Sequence, residues 1–135
     1  MKTITLKGDD LKLSHKIACH EDDEFERMKI LTQFNETYKM LAFDLKTRRC
    51  VAVFTTQKDG QLSYSCPTLI HLIVRANKLH IVAYFRSLNL AKNLDFDKDT
   101  LRILMTQVIS DLQRKDRIHI KRGSIRMIIG CPHEL

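Results

Sequence analysis

Three places in this chain carry residues suited to chemistry on an anion. The first is Arg86-Ser87, where the apolar run Ile81 to Phe85 stops abruptly. A guanidinium and a hydroxyl side by side at a strand end can grip a phosphate or a carboxylate. The plainer reading is that strands stop where polar residues begin. The second place is Arg48-Arg49. At the frayed start of a strand both side chains can turn toward one anion. As a solvated pair near a helix C-terminus they would instead favour its dipole. The third is Cys66 in "SYSCPTL". Pro67 holds Cys66 extended, which places it at the mouth of a strand. A nucleophilic cysteine there needs nearby cations to stabilise its thiolate. The alternative is a small buried hydrophobe.

The elements that must position these residues follow from the hydrophobic pattern. "KTITLK" alternates and predicts a short strand, and residues 8–21 are polar and predict a loop. From Asp22 onward, Phe25, Met28, Leu31, Phe34, Tyr38 and Leu41 recur at helical spacing, behind acidic residues that suit a helix start. Asp44 and Thr47 fit a loop. "RRCVAVFTT" predicts a strand from its β-branched and aromatic content. A turn is expected at Asp59-Gly60 and another at Ala76-Asn77-Lys78, the latter joining "TLIHLIVR" to "LHIVAYF" as a hairpin. Both of these strands are apolar on two faces and are expected to be central. After the polar loop "RSLNLAKNLDFDKD", Leu101, Leu104, Met105, Val108 and Leu112 predict a second amphipathic helix, capped by Asp97 or Asp99. "RIHIK" and "SIRMII" predict a closing strand pair around Gly123. The expectation is a single α+β domain over residues 1–135: a sheet of about five or six strands packed by two main helices.

The order Arg-Arg, strand, Cys, strand, hairpin, strand, Arg-Ser, loop, helix resembles the thymidylate synthase and deoxycytidylate hydroxymethylase superfamily. The likeness runs from about Phe34 to Ile128, with "DLKTRRCVAVF", "CPTLIHLIV", "LHIVAYFRS" and "GSIRMI" each falling where the family has a site segment. The resemblance implies a thymidylate-synthase-like mixed sheet and a pyrimidine nucleoside monophosphate as substrate. Arg86 and Ser87 would bind its 5′-phosphate. Arg48 and Arg49 would reach the same phosphate across a homodimer interface built sheet on sheet. Cys66 would add to C6 of the base, and C5 would take a methyl or hydroxymethyl group from 5,10-methylenetetrahydrofolate. His71 and Asn89 fall at family substrate positions. Asp97 stands where the family usually has Asn, and a carboxylate prefers the amino donor of cytosine over a uracil carbonyl. That would favour dCMP or CMP over dUMP; Asp97 as a helix cap is the structural alternative.

Several departures point to a second reading. The family's Pro-Cys-His is Ser65-Cys66-Pro67, its strand Gln is His71, and the Asp after its Arg-Ser is Asn89. Its Gly-x-Pro-Phe-Asn run is "NLDFD", and its sugar-binding His and Tyr fall on Arg126 and Ile128. The phosphate loop, the proton-relaying glutamate and the folate-closing tail are not found. An enzyme without a relay and a lid would be slow and leaky to water. The second reading is therefore a catalytically degenerate nucleotide sensor or interaction module.

Composition sets the outer limits. The chain has 135 residues, is 44% hydrophobic and 29% charged, and so reads as an ordinary globular domain. Its apolar runs fall far short of the roughly 18 residues a membrane span needs. The start "MKTITLKGDD" shows no signal-peptide pattern. Cys19, Cys50, Cys66 and Cys131 form no C-x-x-C pair, so free thiols in a reducing cytoplasm are expected and a metal site is not. The formal charge of +7 suits an anionic partner. No nucleic-acid-binding motif accompanies it, and nucleic acid is not the expected partner.

Overall fold

A computed structural model describes residues 1–13, 21–58 and 61–134 of the chain; for residues 21–23, 25, 26, 55–58 and 61–66 it describes the backbone only. Cys19 and the expected turn at Asp59-Gly60 lie outside the described residues, as does the side chain of Cys66. The elements run β1 (Lys2–Lys7), a 3-10 turn (Gly8–Leu11), α1 (Glu21–Thr37), α2 (Lys39–Phe43), β2 (Val51–Lys58), β3 (Gln61–Arg75), β4 (Lys78–Asn89), α3 (Leu94–Asp116) and β5 (Lys121–His133).

The five strands form one mixed sheet in the order β1-β5-β4-β3-β2. Neighbours pair antiparallel except β4 and β5, which are parallel. A parallel pair needs a long crossover, and α3 supplies it. The fold is α+β, with α1 packed on α3 and β2, and α3 packed on β4 and β5.

Strand alternation explains the layering. In β4, Leu79, Ile81, Ala83 and Phe85 are buried, while Lys78, Tyr84 and Arg86 are exposed. The buried set, with Ile70 and Leu72 of β3 and Ile125, Met127 and Ile129 of β5, meets Phe34 of α1 and Leu101, Leu104, Val108 and Leu112 of α3 in one core. Among the described residues the opposite face of the sheet carries no helix. Its middle is apolar: Val53 and Tyr84 are 55% and 42% exposed, with Leu69, Ile73, Val82 and Ile128 half-buried beside them.

Some expected boundaries move. The first helix turns Met28 to solvent and buries Arg27 and Ile30 instead. Arg27 earns its place by lying over the Phe96 ring, 4.1 Å from its centroid, while donating to Thr100 Oγ1 at 2.9 Å. Long side chains of this kind bury their stems as readily as apolar ones. The second helix begins at Leu94, with Asn93 in the cap position, so neither Asp97 nor Asp99 caps it. Asp99 instead pairs with Arg102 at 2.9 Å. Of the expected strand pair around Gly123 only the second forms: residues 117–120 lie outside β5, Arg117 turning at positive φ to end α3, and β5 starts at Lys121 and runs through Gly123. Gly123 is not a turn there but a register shift: Leu79 pairs with Arg122 and His80 with Ser124. A Cβ at Gly123 would lie 2.5 Å from His80 Cε1 and 2.6 Å from the Leu79 carbonyl oxygen, so only glycine fits.

Candidate functional site

The β3–β4 ladder runs from the tight turn, where Arg75 pairs with Lys78, to Leu69 opposite Tyr84. Cys66 precedes Leu69 on β3, and Arg86-Ser87 follow Tyr84 on β4. The cysteine and the Arg-Ser pair therefore leave the ladder at the same end of two adjacent strands. Cys66 does not sit at a strand mouth, because β3 already starts at Gln61. It lies where β2 and β3 lose register: Val53 pairs with Leu69 and Thr55 with Tyr64. An irregularity of this kind accommodates Pro67, which has no N–H to give to a ladder.

Arg86 and Ser87 do not end the strand, nor does the expected loop start there: β4 continues to Asn89 because β5 pairs beside it, with Ser87 opposite Cys131 and Asn89 opposite His133. Close approach is possible because Gly130 has no side chain; a Cβ there would stand 2.9 Å from the Arg86 carbonyl oxygen. Cys131 is thus an exposed thiol beside the Arg-Ser pair, a neighbour that its distance in sequence conceals. Asn89 Oδ1 accepts from the backbone N–H groups of Ala91 and Lys92, both at 3.1 Å, and so shapes the turn into α3.

The remaining candidates approach this end differently or not at all. Asp97 is 8% exposed in the first turns of α3, where its N–H donates to the Asn93 carbonyl at 3.0 Å. Because α3 lies on the covered face and Arg86 continues the open-face alternation, the two approach the strand end from opposite sides of the sheet. His71 sits on the open face between Val51 and Val82. Its Nε2 is buried without a hydrogen-bond partner among the described residues. Such an atom is uncommon enough to require a cause.

Arg48 and Arg49 precede β2, which starts at Val51, rather than beginning it. Both are exposed, and Arg48 lines a cavity of about 460 Å³ with Leu45, Val74 and Ala76 at the β3–β4 turn. The turn and Arg86 stand at opposite ends of β4, roughly 25 Å apart at the rise of a strand. Within one chain the paired arginines do not join Cys66, Arg86 and Ser87. Cys50, next to Arg49, is fully buried, and burial pushes its thiol up to about 12. It donates to the Thr37 carbonyl at 3.4 Å and is a packing residue.

Cavities lined by described residues lie at the β3–β4 turn, along α1, and where β1, β4 and β5 meet. Among the described residues no group of three or more His, Cys, Asp or Glu gathers as a metal site. No helix among them is long and apolar enough to cross a membrane. No protein-family model matches the chain, and no curated protein matches it.

Proposed function

We propose that the chain binds a pyrimidine nucleoside monophosphate, with Arg86 and Ser87 on the phosphate and Cys66 facing C6 of the base. The observation that carries this reading is the meeting of Cys66 with Arg86-Ser87 at one end of β3 and β4. Arg48 and Arg49 lie at the other end, so they reach the same phosphate only from a second copy. The uncovered apolar face of the sheet supports a sheet-on-sheet homodimer, in which the unsatisfied His71 would be enclosed. A phosphate dianion held by several guanidinium forks is the arrangement favoured by charge.

The chemistry this arrangement suits is addition of the Cys66 thiolate to C6. The electron pair moves to C5, which becomes nucleophilic toward a proton or a one-carbon unit; loss of the C5 hydrogen and expulsion of the thiolate restore the ring. His71, on the open face with Arg86, or Asp97, on the covered side, is the base reader; a carboxylate at Asp97 would favour dCMP or CMP over dUMP. Methyl or hydroxymethyl transfer from methylenetetrahydrofolate rests on the family resemblance alone.

The second reading, a nucleotide sensor without turnover, is favoured by Asn89, whose side-chain oxygen serves the backbone. Calorimetric titration with dUMP, dCMP, CMP and inorganic phosphate tests binding and base choice. The reading expects nucleotide to bind more tightly than phosphate and Arg86→Ala to abolish it. Unchanged affinity in that variant removes the phosphate assignment. Tritium release from C5-labelled nucleotide separates the enzyme from the sensor.

A further inference from the structure

A second cationic place lies at the other end of the sheet, independent of the nucleotide reading. Three positive residues stand in cross-strand register at the rim: Arg75 opposite Lys78, and Lys78 opposite Lys121. Like charges directly opposite one another destabilise a sheet. One step inward, Lys7 pairs with Ser124 and Ser124 with His80. Here β1, β4 and β5 enclose a cavity of about 560 Å³ whose charged lining is Lys7, Lys78, Arg122 and Arg126. No carboxylate lines it, and none of these four cations forms an ion pair among the described residues. On the adjoining 3-10 turn, Asp9 is engaged by Lys12 at 3.2 Å.

The floor of the cavity is ordered. His80 Nδ1 and Ser124 Oγ share a hydrogen bond of 2.8 Å, and the imidazole fills the space left by Gly123. Arg122 turns its guanidinium to Thr106 Oγ1 of α3 at 3.3 Å, toward the covered side, so the charge on the open face comes from Lys7, Lys78 and Arg126. A site of this volume is in the range of small-ligand sites, and its polar, purely cationic lining selects an anion of high charge. A single phosphate dianion would leave part of this charge unmatched; linked phosphates would match it.

We infer that the cavity framed by Lys7, Lys78 and Arg126 binds an oligophosphate group, the di- or triphosphate portion of a small ligand. The bound phosphates would offset the repulsion within the Arg75, Lys78 and Lys121 row. The site lies about 20 Å along β4 from Arg86, the distance from His80 at strand rise, and is separate from the nucleotide site proposed above.

The test is calorimetry of the full chain with inorganic triphosphate at low ionic strength. Saturable binding is expected, weakened about tenfold by Lys78→Gln and by Arg126→Gln, each of which removes one charge-assisted contact. Both side chains are exposed, and circular dichroism verifies that each variant is folded. Arg86→Ala is expected to leave triphosphate affinity unchanged while abolishing monophosphate nucleotide binding. Absence of binding, wild-type affinity in both Lys78→Gln and Arg126→Gln, or loss of triphosphate binding in Arg86→Ala overturns the inference. A single-stranded oligonucleotide that binds the wild type more tightly than triphosphate does, and competes with it, also overturns it, in favour of a nucleic-acid surface.

Discussion

Arg27 of α1 lies over the Phe96 ring of α3, 4.1 Å from its centroid, and is only 7% exposed. The contact joins the two main helices where α3 begins, and the same guanidinium donates to Thr100 Oγ1 and to the Phe96 carbonyl. Arg27→Ala is expected to lower stability by about 3 kcal/mol through lost stacking, hydrogen bonds and packing. Arg27→Met should cost less, because it keeps the packed volume and Thr100 Oγ1 still donates to Phe96. Urea denaturation of the three proteins checks the order; equal midpoints would mean that the contact contributes nothing to the helix pairing.

Thiol reactivity separates the two free cysteines among the described residues. With its thiol pushed up to about 12 by burial, Cys50 stays protonated and inert through neutral pH. Cys131 is exposed beside Ser87. A thiol reagent at pH 8 should label Cys131 in the native protein and Cys50 only after unfolding, as read by peptide mass spectrometry. The linkage has a definite sign. The unfolded thiol ionises near its ordinary value of 9 while the folded one does not, so the unfolded chain binds fewer protons above that pH. Stability therefore falls as pH rises from about 9 toward 12, and Cys50→Ala should flatten that limb of the curve.

Histidine 80 titrates in the opposite sense. Burial, and secondarily the Lys78 ammonium, hold its pKa below the ordinary histidine value of 6.5. Below 6.5 the unfolded chain takes up a proton that the folded chain resists, so this contribution to stability is present above 6.5 and is lost as pH falls through the depressed pKa. A nuclear magnetic resonance titration of the ring should show the depressed midpoint. In Lys78→Gln the midpoint should rise toward, but not reach, 6.5, because burial is the larger cause. A midpoint unmoved in that variant would separate Lys78 from His80.

The β3–β4 turn places Ala76 and Asn77 at φ of 52° and 63°. Asparagine tolerates the left-handed region, whereas alanine pays a steric cost of about 1–2 kcal/mol. Ala76→Gly relieves that strain but loosens the unfolded chain, leaving a net gain of about 0.5–1 kcal/mol. Thermal unfolding measures it, and a lower melting temperature in the variant would contradict the turn geometry.

The parts of the fold that depend on local pattern were legible in the chain. The continuous apolar run "LHIVAYF" marked a central strand, and the spacing of Leu101, Leu104, Met105, Val108 and Leu112 marked a core-facing helix, because buried faces follow the local pattern of each element. The turn at Ala76-Asn77 was legible for the same reason: Arg75 and Lys78 flank a short polar break between two apolar runs. Arg86-Ser87 and Cys66 were legible as residue types.

Which residues stand side by side depends on the assembled sheet. Periodicity could not show that Arg27 would replace Met28 in the buried face, since that depends on the Phe96 ring arriving from another helix. It could not show that β5 would be continuous through Gly123, where a missing side chain admits the His80 ring. Nor could it place Cys131 opposite Ser87, or align Arg75, Lys78 and Lys121 across three strands. Those neighbours are set by strand order and register, and both are fixed by which faces must be buried together, a property of the whole sheet rather than of any segment in it.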